Sequence, residues 1–120
     1  MEKQKVMSSD ALFEQIRTKQ VTKDHIKQFI NYVKQNRFEN LTLTDTEKDT
    51  VATNIMTMIT NYQNKRNSMG CFLNYVINNN LKSAILNADS TNLKALPIYT
   101  AFLSWAAPAD MIYQLQNSPY

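Results

Sequence analysis

A chain of 120 residues with 43% hydrophobic side chains, including five Phe, six Tyr and one Trp, is long enough to build one core and too aromatic to stay disordered. One Gly and one Cys exclude an internal disulfide, the glycine-rich loops that cradle phosphates or dinucleotides, and the glycine-flanked nucleophile elbow. The net charge of +3 is unevenly placed: residues 3–37 hold eight basic and three acidic side chains, whereas in residues 67–120 Lys82 and Lys94 cancel Asp89 and Asp110.

Scarce glycine also disfavours tight sheet turns and points to helices joined by short polar loops. Residues 1–8 read as a flexible leader. Ser8-Ser9-Asp10 then offers a cap and a first-turn acid for a short helix carrying Leu12, Phe13 and Ile16 and ending near Lys19. Thr22 caps a second helix, with Val21 and Ile26 spaced as a hydrophobic staple and Ile26, Phe29, Ile30 and Val33 as its buried stripe. Thr44-Asp45-Thr46-Glu47 is a capping box, the clearest helix start in the chain. It opens the longest helix, whose apolar face is Val51, Ile55, Met58, Ile59 and Tyr62. The opposite face, Thr50, Thr53, Asn54, Thr57, Thr60, Asn61 and Asn64, is polar but uncharged.

Met69, Phe72, Leu73, Val76 and Ile77 fit a helix, although the run Cys71 to Ile77 can also be read as a strand. Leu81, Ala84, Ile85 and Ala88 form a short amphipathic helix that ends at Asp89-Ser90-Thr91-Asn92. The stretch Pro97 to Ala107 is apolar on almost every side, with Thr100 and Ser104 as a thin polar seam. A helix of that kind must be buried, and at about 11 residues it falls well short of the roughly 20 needed to span a bilayer. Pro97 suits its first position, and Pro108 forces a break before a last helix with Met111, Ile112 and Leu115. The predicted fold is all-α, one domain over residues 1–120, a bundle of about six helices around a buried central helix at 97–107.

Catalytic chemistry finds little support. One His and one Cys cannot fill a tetrahedral zinc site, and Asp45, Glu47 and Asp49 alternate like a calcium loop but lack its glycine and terminal glutamate. His25 and Cys71 are remote in sequence, and nothing joins them as base and nucleophile. The expectation is therefore a non-enzymatic protein with no catalytic residue, cofactor, metal or small-molecule substrate. The lone cysteine and the lack of a signal-like leader point to a reducing, cytoplasmic compartment. Ten Lys against three Arg, with abundant Asn, suit an AT-rich genome such as that of a phage or mobile element.

Two surfaces remain. The charge-poor carboxyl half supplies Tyr99, Met111, Tyr113 and Tyr120, and the uncharged helix face supplies Thr53, Thr57 and Asn61. Interface cores are poor in charge and rich in aromatics and Met. These residues predict an adaptor or regulator that binds another protein or a second copy of itself. The alternative is a basic stripe, Lys19, Lys23, Lys27, Lys34 and Arg37, tracking a nucleic-acid backbone. The uncharged surfaces are favoured because they involve more of the chain.

Overall fold

The computed structural model describes residues 8–18 and 20–118, and every regular element among them is helical. Seven α-helices follow in order: α1 (Ser9–Thr18), α2 (Lys23–Arg37), α3 (Asp45–Gln63), α4 (Cys71–Ile77), α5 (Leu81–Asn87), α6 (Ser90–Ala101) and α7 (Met111–Gln116). The all-α expectation holds, with the run 71–77 helical and α3 the longest element. Of the expected leader only Ser8 is described, and its Oγ accepts the Ala11 amide at the start of α1.

Local chemistry sets the helix starts. Thr44 Oγ1 accepts the Glu47 amide at 3.1 Å while Glu47 Oε1 accepts the Thr44 amide at 2.9 Å, closing the predicted box. At α2 the same box uses histidine. Thr22 Oγ1 accepts the His25 amide at 3.3 Å, and His25 Nδ1 accepts the Thr22 amide at 3.0 Å. A donor amide requires an unprotonated Nδ1, so the one His of the chain stands where a box usually has Glu or Gln.

The helix ends account for the missing glycines. After α3 the Arg66 amide reaches the Asn61 carbonyl at 3.1 Å and the Lys65 amide reaches the Tyr62 carbonyl, a Schellman closure. After α4 the Asn80 and Asn79 amides close on the Tyr75 and Val76 carbonyls in the same way. Both closures need a left-handed residue, and Lys65 (φ 53°) and Asn79 (φ 56°) take that role. Asn adopts this conformation readily; Lys does so against the steric cost of its Cβ.

The core lies between α2, α3 and α6, closed at its ends by α1 and α7. Ile26, Phe29, Ile30 and Val33 from α2 meet Val51, Ala52, Ile55 and Met58 from α3 and Ile98, Tyr99 and Phe102 from the α6 segment, all fully buried. The Phe29 ring packs against Phe13 at 5.6 Å and edge-on to Phe102 at 6.0 Å.

The central helix departs from expectation at both ends. It begins at Ser90, not at Pro97, because Asp89 Oδ1 accepts the Asn92 amide at 2.8 Å and caps it. The Asp89-Ser90-Thr91-Asn92 stretch is thus a helix start rather than a stop, and Pro97 lies inside α6. At the far end α6 runs into a π-helical turn, Phe102–Ala106, with the Ala107 amide bonded to the Phe102 carbonyl at 2.9 Å. Wider winding turns each residue through less than the roughly 100° of an α-helix. Ala106 is thereby brought onto the buried face of Phe102, and Trp105 lags behind to a half-buried flank.

Candidate interaction surfaces

The basic stripe divides in two. Lys23 Nζ and Lys27 Nζ both pair with Asp49 Oδ1 on α3, at 2.7 and 3.0 Å. These two ammoniums, Lys23 first, hold the Asp49 carboxyl below its ordinary value. This part of the stripe therefore ties α2 to α3. Lys34 lines a shallow depression with Asn31, Gln35, Glu39 and Lys48, and the Arg37 guanidinium lies 5.9 Å from the centre of the Trp105 ring. Lys19 lies outside the described residues.

The uncharged face of α3 serves the fold more than its composition suggests. Asn54 Nδ2 donates to Tyr99 Oη at 2.9 Å and to Asn92 Oδ1 at 3.1 Å, and Tyr99 Oη donates to Asn92 Oδ1 at 2.6 Å. This triangle joins α3 to α6 inside the protein. Burial pushes the Tyr99 phenol up to about 12. Asn61, also buried, accepts the Ser68 amide at 2.7 Å and its hydroxyl at 3.0 Å, pinning the α3–α4 connection. Thr57 Oγ1 donates back to the Thr53 carbonyl at 3.0 Å. Thr53 stays exposed and Thr57 half-buried.

Of the residues expected to bind a partner, Tyr99 and Met111 are fully buried and Asn61 nearly so, which corrects their assignment to an outer surface. The reason is geometric: α6 is covered by both α2 and α3, and α7 turns Met111 and Leu115 inward. Tyr113, at 72% exposure, does face solvent. Tyr120 lies outside the described residues.

The structure adds a surface that periodicity hid. Leu81, Ile85 and Leu86 on α5 and Leu93 in the first turns of α6 are exposed by 63, 42, 74 and 47%. The spacing of Leu81, Ala84 and Ile85 reads as a buried stripe, yet only Ala84 of α5 is buried. The helix is two turns long and its main contact is with α4. Leu96 and Thr100 of α6 border a recess with Leu81 and Ala84, and the rest of the helix is left open to solvent. Sequence offered no clear clue, since Lys82, Asp89 and Lys94 stand among these leucines at an ordinary density of charge.

Among the described residues, no group of three or more His, Cys, Asp and Glu side chains is placed to hold a metal, and no helix is long and apolar enough to cross a membrane. Comparison with protein-family models, with curated proteins and with solved structures finds no match to this chain.

Proposed function

We propose that this protein is a small adaptor or regulator that acts by binding another protein, with the outward side of α5 and the start of α6 as its contact surface. One observation carries the reading: Leu81, Ile85, Leu86 and Leu93 lie open to solvent on two consecutive helices. Exposed leucines scattered singly need no explanation, but four large aliphatic side chains within 81–93 are the kind of surface that marks contact sites. Burying each removes about 1–2 kcal/mol of unfavourable hydration, which a partner that covers them would recover. The aromatic Tyr113 on α7 extends the supply of exposed apolar area.

The nucleic-acid alternative draws less support. Two of its lysines are held by Asp49, and a stripe partly neutralised in this way releases correspondingly fewer counterions.

The test compares the wild-type protein with a Leu81→Asp/Leu86→Asp variant in affinity capture followed by mass spectrometry, with light scattering across concentration. Both residues are exposed, so the variant should melt within about 1 kcal/mol of the parent. A captured protein, or a self-association signal, that vanishes in the variant supports the surface. Capture that survives the double substitution overturns it.

A further inference from the structure

A second recess lies where the end of α2 meets the second half of α6; its Leu96 and Thr100 also border the recess that Leu81 of α5 lines. Arg37 and Phe38 form one wall; Leu96, Pro97, Thr100, Ala101, Ser104 and Trp105 form the other, around a volume of about 390 Å³. The π turn supplies Ser104 and Trp105 to this groove. By swinging Trp105 off the buried face it sets the indole beside Arg37, whose guanidinium lies over the ring. The turn is tied down from behind, since Arg17 Nη2 donates to the Trp105 carbonyl at 2.7 Å. Single π turns within α-helices recur at functional sites.

The groove is mostly apolar, and its one charged wall residue is a cation. Among the described residues no carboxylate stands within ion-pair distance of Arg37. Glu39, the nearest acid along the chain, lines the neighbouring depression with Lys34 and Lys48. Arg37 is therefore the charge that this groove presents. A planar guanidinium with fixed donors suits a carboxylate, which it can take by two parallel hydrogen bonds. The groove is also open to solvent. A small molecule held tightly needs most of its surface covered, and an open groove does not supply that. A peptide segment anchored by one side chain does not need it.

We propose that this groove binds an acidic, apolar segment of a partner protein, its carboxylate paired with Arg37 and the adjoining apolar side chain packed on Trp105, Pro97 and Leu96. The inference rests on the protein-binding reading but centres on different residues, Arg37 and Trp105. A nucleic acid would stack a base on the indole and show steep salt dependence; the apolar lining and the single cation favour the peptide.

The chain has one Trp, so its fluorescence reports on this groove directly. The probes are capped pentapeptides with a central Phe or Leu flanked by Glu, their Gln counterparts, and an oligothymidylate. The Glu peptides should give a saturable change in Trp105 emission that is about tenfold weaker with the Gln peptides and with Arg37→Gln, as expected for loss of a charge-assisted bidentate contact. Leu86→Asp, at an exposed residue of α5 that lines neither this groove nor the recess beside it, should leave it unchanged, which separates failure of this groove from failure of the leucine surface. Equal binding of Glu and Gln peptides, no response to any peptide, or a response to oligothymidylate alone overturns the proposal.

Discussion

Tyr99 shows how far burial can change the meaning of a residue. Among exposed tyrosines it would be a contact side chain; inside the bundle its hydroxyl completes the triangle with Asn54 and Asn92 that holds α3 on α6. Tyr99→Phe leaves two amide side chains short of a partner in a half-buried setting and should cost about 1–3 kcal/mol, read as a lower urea midpoint at unchanged slope. The phenol also predicts an alkaline transition. Its proton is held more tightly in the folded protein, to about 12, than in the unfolded chain, near the ordinary 10.0. Stability is thus fully present below the unfolded value and is lost as pH rises through that window, by about 2–3 kcal/mol in all. Tyr99→Phe should flatten the transition.

Among the helices, the α6 segment is decided by its two ends. The Asp89 cap starts it well ahead of Pro97, and the π turn sets which aromatic is core. Phe102 is fully buried against Phe29, whereas Trp105 is half-buried beside Arg37. Phe102→Ala should therefore cost about 3–5 kcal/mol and Trp105→Ala distinctly less, in parallel denaturant melts. Equal losses would place Trp105 in the core after all. The turn itself was not legible in sequence. Winding Phe102 to Ala106 as α or as π differs in which side chains it buries, and that is settled by α1 and α2 packed alongside. The α3 capping box was legible, since its residues are only three apart, and so was Thr22 as the cap of α2; His25 as the other half of that box was not.

Across the bundle as a whole, ion pairs join helices that are distant in sequence. Lys23 and Lys27 converge on Asp49, and Lys94 pairs with Glu47 at 2.8 Å. Lys94, then the Thr44 amide, holds the Glu47 carboxyl below its ordinary value, as Lys23 and Lys27 do for Asp49. Both carboxylates favour the folded state above their unfolded values of 4.5 and 3.8, and that contribution is lost as pH falls through the lower folded values. Asp49→Asn should reduce the acid sensitivity of the melting temperature. It also releases Lys23 and Lys27, so any oligonucleotide affinity should rise, with a slope of log affinity against log salt steeper by about 1–2. An unchanged slope would show that the α2 stripe meets no phosphate.

Residue order alone carried the helical class, the starts of α2 and α3 and the apolar stripes of the long helices, because caps and periodicity act over a few neighbouring residues. Which stripes are covered was decided only when the helices packed. Periodicity marks Leu81 and Ile85 as it marks Ile26 and Ile30, but only the second pair has helices on that side. Whether an apolar face becomes core or contact surface depends on what the rest of the chain can bring to it, and that is a property of packing rather than of pattern.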